Sequence, residues 1–147
     1  MQAALPIRLM KEAEDIQRNY SGILSLEIQE GNARLWRVHF KGAVDTVYDG
    51  EEFTLQFKFS DSYPFESPEV VFYGAPPVHE HVYPNGFICL SILYKDWSPV
   101  LKVSTVCMSI ISMLSSATRK QSPVGGEMLS RFSSPKDVSW AFHDDKC

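Results

Sequence analysis

HEHVYPNGFICLSILYKDWSPV, residues 79–100, is the stretch on which the reading of this chain turns. It holds Cys89 within the apolar run Gly86-Phe87-Ile88-Cys89-Leu90. A lone cysteine among apolar neighbours is usually an inert packing thiol. Upstream, Tyr83-Pro84-Asn85-Gly86 has the composition of a turn, with proline fixing φ and Asn-Gly supplying positive φ. A turn that delivers a cysteine from a strand end, with His79 and His81 nearby, is equally a setting for a reactive thiol. Residue chemistry alone leaves both readings open.

Outward from this stretch the chain reads as a single domain. Its 147 residues are enough for one substantial core, and 44% hydrophobic with 22% charged residues is ordinary globular composition. Residues 1–121 are expected to form the core, with residues 122–147 as an atypical tail of the same domain. A formal net charge of −4 argues against sequence-independent binding of nucleic acid, which requires a basic face. Three cysteines at the distant positions 89, 107 and 147 make neither a metal-type pair nor a disulfide framework, and suit a reducing compartment. There is no apolar run of bilayer length and no signal-peptide pattern. The expectation is a protein of the cytoplasm or nucleus that binds no membrane.

The elements are legible from periodicity. Pro6 suits the first turn of a helix to about Arg18, with Leu5, Leu9, Ala13, Ile16 and Tyr20 on one apolar stripe. Arg8 and Lys11 fall off that stripe and are expected to face solvent. Leu24, Leu26 and Ile28 alternate, then Trp36, Val38 and Phe40, then Phe53, Leu55, Phe57 and Phe59, with a short fourth strand at 69–72. Short turns without intervening helices give an antiparallel meander with one buried face. Val103, Val106, Cys107, Ile110, Ile111 and Leu114 then mark a core-facing helix. Ser104, Thr105, Met108, Ser109 and Ser112 on its other face read as solvated. Beyond Ser116 the breakers Ser122-Pro123-Val124-Gly125-Gly126 change the character of the chain. The fold class is α+β: an N-terminal helix, a four-stranded meander, a central helix and a shortened or irregular C-terminal region.

The run His79-x-x-Val82-Tyr83-x-x-Gly86-x-Ile88-Cys89-Leu90-x-Ile92-Leu93, followed by Trp97-Ser98-Pro99, resembles the active-site signature of ubiquitin-conjugating enzymes. Tyr63-Pro64-Phe65-x-x-Pro68 matches the preceding loop of that family, and the likeness runs from about Arg8 to about Ser116. The resemblance implies that Cys89 accepts ubiquitin as a thioester from an activating enzyme and passes it to an amine. No cofactor is implied, ATP being consumed by the activating enzyme. It implies a docking surface for ligases of the RING or U-box type at Arg8, Lys11, Phe65, Trp97, Ser98, Pro99 and Val100. Met108 and Ser112 would meet the donor ubiquitin, and Ser25 falls near a position where some relatives bind a second ubiquitin.

Two departures from the family pattern set the expected substrate. His81 stands where Asn is usual; a neutral imidazole can still donate one N–H to a developing oxyanion, so His81 joins Cys89 as a catalytic candidate. His79, Asn85 and Ser91 are the supporting positions, and Glu80, in place of the usual Pro, has no assignable role. Ser91 stands where an acidic residue often helps an incoming lysine lose its proton. This combination, with the ending Trp140-x-Phe142-His143-Asp144-Asp145-x-Cys147, resembles the W-type ubiquitin-conjugating enzymes, which modify protein N-termini. The implied partners are therefore ubiquitin, its activating enzyme, ligases, and substrates with flexible N-termini, with Trp140 and Phe142 on a substrate-facing tail. That tail is expected to leave the cysteine open.

The competing readings are a general lysine-directed enzyme of the family, a noncatalytic ubiquitin-binding module, a thiol hydrolase using His79 or His81, and a zinc site built on His79, His81 and Cys89. Presence of the cysteine argues against the module, since those variants lack it.

Overall fold

The computed structural model describes residues 5–125, 129 and 131–142. Helix α1 spans Ile7–Asn19 and begins directly after Pro6, whose carbonyl accepts from the Met10 N–H at 2.9 Å. Four strands follow: β1 Ser25–Ile28, β2 Leu35–Lys41, β3 Glu52–Lys58 and β4 Glu69–Phe72. They form one antiparallel sheet in the order β1-β2-β3-β4. Helix α2, Val103–Ser115, completes the α+β architecture, and no further α-helix occurs among the described residues after it.

Register explains the alternation. Trp36 faces Phe57, Val38 faces Leu55 and Phe40 faces Phe53, while Leu55 and Phe57 face Phe72 and Val70 on the far side. All eight are buried and join Leu9, Ile16, Val106, Ile110 and Leu114 in one apolar cluster. A one-residue slip would turn this whole set outward, so burial fixes the pairing. The other face carries polar pairs: His39 with Thr54 at 2.8 Å and Arg37 with Gln56 at 3.3 Å. Ile28 departs from the expected pattern, being exposed at the end of an edge strand.

Glu12 is the unexpected feature of α1. It lies between Leu9 and Ala13 on the apolar stripe and is only 3% exposed. One carboxylate oxygen accepts from the Val103 backbone N–H at 2.7 Å, at the first residue of α2. The other accepts from the Tyr63 hydroxyl at 2.6 Å and from Arg8 Nε at 2.8 Å. Lys102, at the N-cap position of α2, offers no side-chain cap, so Glu12 supplies from another helix the anion that a helix N-terminus favours. A second link joins the helices where Ser104 donates to Asp15 at 2.8 Å. Ser104 is therefore buried rather than solvated, a correction that follows from its partner on α1.

Arg8 is also corrected. Its guanidinium turns inward to Glu12 and donates to the Pro99 and Leu101 carbonyls, both at 2.8 Å. Lys11 is exposed, as its place on the helix requires. Replacing Glu12 by Gln keeps the shape but sets an amide N–H group against the Arg8 and Tyr63 donors. Glu12→Gln is expected to lower the unfolding free energy in urea by about 2 kcal/mol, the scale of a lost hydrogen bond to a charged group. A change below about 0.5 kcal/mol, typical of a surface substitution, would remove Glu12 from this structural role.

Candidate active site

The site is built from a short ladder laid beside the sheet. His79 pairs with Val82 and Val82 with Ile88 in antiparallel bridges, and Phe87 pairs with Val71 of β4. Tyr83 N donates to Phe87 O at 2.9 Å, and Gly86 N closes the turn on Tyr83 O at 2.8 Å. Gly86 has φ +92°, and a β-carbon there would lie 2.4 Å from the Phe72 carbonyl oxygen. Only glycine permits both the turn and the approach to β4. Phe72 N returns a bond to Gly86 O at 2.9 Å, which fastens the turn to the sheet edge.

This ladder places His81 opposite Cys89. The Cys89 N–H donates to the His81 carbonyl at 2.8 Å, one step along from the Val82–Ile88 bridge. Residues directly opposite in an antiparallel pair share a face, with β-carbons about 5 Å apart. His81 is 8% exposed and Cys89 5%. His79, at 3%, accepts the His81 backbone N–H on Nδ1 at 2.9 Å, so its ring proton sits on Nε2. Tyr48 donates to the Val78 carbonyl and holds the entry to the ladder. Glu80, without a role in the sequence reading, places its carboxylate 3.8 Å from His81 Nε2.

After Cys89 the chain turns through a single 3-10 turn, Ser91–Leu93. Ser91 lines a cleft of about 700 Å³ together with Leu90, Met108, Ser109 and Ser112. The two donor-ubiquitin candidates thus adjoin the site, and Met108 and Ser109 are half-buried walls rather than a freely solvated face. A larger cleft of about 1030 Å³ includes Ser25, but none of its lining residues belongs to the 79–100 stretch.

Residues of the expected ligase surface come from three segments that bond to one another. Trp97 Nε1 donates to the Pro64 carbonyl at 2.8 Å, beside the cis Tyr63–Pro64 peptide, and Arg8 holds Pro99 and Leu101. Phe65 is 82% exposed and Val100 79%, and Pro99 is also exposed. Ser98 is half-buried and accepts from Val100 N at 3.4 Å. The structure divides the set, with Phe65, Pro99, Val100 and Lys11 outward and Arg8 and Trp97 holding them.

The tail is where the structure departs most from expectation. Rather than leaving Cys89 open, residues 140–142 lie across it, and the thiol donates to the Ala141 carbonyl over 3.9 Å. Trp140 stacks on Tyr94 at 5.2 Å and meets Tyr83 at 5.7 Å, while Phe142 lies 6.3 Å from Tyr94. Lys95 Nζ stands 4.9 Å over the Phe142 ring. Upstream, Lys136 Nζ binds Glu66 at 2.9 Å and the Ser67 carbonyl at 2.7 Å, and Ser134 donates to Glu69 at 3.1 Å. Asn85 donates to the Leu129 carbonyl at 3.2 Å and accepts from Phe87 N at 3.1 Å. The His143-Asp144-Asp145-x-Cys147 ending lies outside the described residues.

Sequence reasoning missed Tyr94, Tyr83 and Glu12. Glu12 had a signal, a carboxylate on the apolar stripe four residues after Arg8. Tyr94 had only its position in the signature stretch. Its hydroxyl donates to Ile88 O at 3.0 Å, and burial, then the charge of Cys89, then Glu69 push the phenol well above its usual pKa. No group of three or more His, Cys, Asp or Glu among the described residues is placed to hold a metal ion. No helix among them is long and apolar enough to cross a membrane.

Comparison with known proteins identifies the family. The sequence model of the ubiquitin-conjugating enzyme family matches residues 8–139. The chain is 51% identical over 142 residues to a probable ubiquitin-conjugating enzyme E2 W of Dictyostelium discoideum, covering 94% of each. It is 46% identical to a probable ubiquitin-conjugating enzyme E2 W-A of Danio rerio, covering 99% of each. Among solved structures, the ubiquitin-conjugating enzyme UbcA1 of Agrocybe aegerita superposes with a TM-score of 0.81 at 37% identity, over 91% of this chain and 99% of that one. The chain belongs to the ubiquitin-conjugating enzyme family, on its W-type branch.

Proposed function

We propose that Cys89 carries ubiquitin as a thioester and that the acceptor is the N-terminal α-amine of a substrate protein, brought by a ligase docked on Lys11, Phe65, Pro99 and Val100. The observation that carries the catalytic half is the pairing of Cys89 with His81 on one face of the ladder. In the transfer, the amine nitrogen attacks the thioester carbonyl carbon and a C–N bond forms. The C–S bond breaks, Cys89 leaves as thiolate, and the proton shed by the amine passes to base or solvent. His81 donates an N–H to the oxyanion that forms between these events.

Preference for an α-amine follows from proton chemistry. An α-amine titrates near 7.7–8.0 and a lysine near 10.4, so roughly a quarter of the former and about one in a thousand of the latter are neutral near pH 7.4. Ser91 has no acid to lower that barrier for lysine. The 117–121 segment presents Arg119 and Lys120, and Lys120 is held by Glu51 at 2.7 Å. A second reading has one observation in its favour: the Glu80 carboxylate beside His81 is placed to take a lysine proton, which would make this a general lysine-directed enzyme.

Three outcomes test these roles. Cys89→Ser should trap ubiquitin as an oxygen ester that survives thiol reductant, whereas Cys107→Ala should load normally. Cys107 is completely buried and burial pushes its thiol up, which keeps it protonated and unreactive. Loss of the adduct in folded Cys107→Ala would mean that the nucleophile has been misassigned.

His81→Asn should keep most of the single-turnover discharge rate, and His81→Ala should slow it by up to about 10²–10³ as an oxyanion donor is lost. An unchanged rate in the Ala variant would strip His81 of that role.

Mass spectrometry of products from matched substrates, one with a free and one with an acetylated N-terminus, decides the acceptor. Ubiquitin should appear on the free α-amine. Equal modification of both, mapped to lysines, would establish the lysine-directed reading instead.

A further inference from the structure

We propose that Tyr83, Tyr94 and Lys95 form an acceptor-peptide seat beside Cys89, that residues 140–142 of the chain occupy it here as a stand-in for substrate, and that substrates with an aromatic residue next to the reacting amine are preferred. The proposal rests on the α-amine reading for the identity of the acceptor, and the seat itself is tested independently of that choice.

The observation is the way the tail lies. Ala141 presents its carbonyl 3.9 Å from the Cys89 sulfur, so the backbone of residues 140–142 takes up space directly beside the reacting atom. On either side of it an aromatic ring is received: Trp140 between Tyr94 and Tyr83, and Phe142 between Tyr94 and the Lys95 ammonium. Ring faces and a cation over a ring are selective for aromatic occupants. The Tyr94 hydroxyl points away from this contact, donating to the Ile88 carbonyl at 3.0 Å, so it is the ring that the tail meets.

The occupant is also exchangeable. Among the described residues, the ion-pair and hydroxyl bonds that hold the tail to the body lie upstream, at Ser134 and Lys136, while beside the cysteine there is the 3.9 Å thiol contact with the Ala141 carbonyl. The Trp140 indole N–H is taken by Pro135 within the tail itself, and its ring stacks on Tyr94 and meets Tyr83 at a tilt. Cys89 is only 5% exposed beneath this cover. A ubiquitin C-terminus and an acceptor can both reach the sulfur only when residues 140–142 swing away about the anchored 134–136 segment. Their departure empties the seat. An amine placed where Ala141 stands puts the second residue of the acceptor where Trp140 or Phe142 stood, whichever way its chain runs.

The test uses the full chain, preloaded with ubiquitin and freed of activating enzyme. Single-turnover discharge is followed against the concentration of two lysine-free peptides, Ala-Trp-Gly-Ser-Gly and Ala-Gly-Gly-Ser-Gly, whose first residues are the same. The tryptophan peptide should half-saturate at a concentration lower by about three- to tenfold, the worth of an aromatic pair. Tyr94→Phe, which keeps the ring, should retain that ratio, and Tyr94→Ala should bring it to one. Because the ratio is read within each variant, a general loss of activity does not affect it.

The same pair is also offered acetylated, with lysine as the first residue. Modification of only the acetylated pair overturns the α-amine reading, and the seat is then judged on the ratio in that pair. Equal half-saturation of both peptides by the unaltered chain, or a preference that survives Tyr94→Ala, overturns the seat.

Discussion

Gly86 comes so close to the Phe72 carbonyl that any side chain would put its β-carbon 2.4 Å from that oxygen, and the site depends on this approach. The approach lets the 79–89 ladder share hydrogen bonds with the edge of β4, so the position of Cys89 is inherited from the rigid sheet rather than from a loop. The same turn requires φ +92° at Gly86, a conformation that an L side chain rarely adopts. Two independent demands thus fall on one residue. From that anchor the pairing places His81 opposite Cys89, and His79 accepts the His81 N–H to hold the strand behind it.

A second anchor lies between the two helices. The Glu12 carboxylate joins α1, the Tyr63 loop and the first residue of α2, while Arg8, bonded to it, grips the 97–101 loop. Burying a carboxylate is costly unless each oxygen finds donors, and here three donors converge on it. Phe65 and Val100 are exposed, each beside backbone held from elsewhere: Pro64 by Trp97, and Pro99 and Leu101 by Arg8. The surface proposed for a ligase and the start of the helix that walls the cleft next to Cys89 therefore share one buried group.

The tail joins the site to the chain's own sequence. It is fixed by ion-pair and hydroxyl contacts at 134–136 and reaches Cys89 through stacked rings. A cysteine that is covered by its own chain is shielded from indiscriminate reagents.

Much of this was legible in the sequence. The stripe of α1, the strands, the central helix and the turn at Tyr83-Pro84-Asn85-Gly86 are local signals, and each element reappears where the sequence placed it, although β1 leaves Ile28 exposed rather than buried. Cys89 and His81 were legible as candidates because they lie within one short motif. The roles of Arg8, Glu12, Ser104, Tyr94 and residues 140–142 were not. Their partners are far off in the chain: Glu12 binds Val103, and Cys89 meets Ala141. Contacts across such separations leave no period for a sequence to display. An arginine off an apolar stripe reads as solvated until a carbonyl is brought to it, and a tail rich in breakers reads as open until two tyrosines receive its rings. Local sequence determined the elements and marked the candidate cysteine; only the folded chain decided what covers and supports them, because those choices are made by groups that meet after the core has closed.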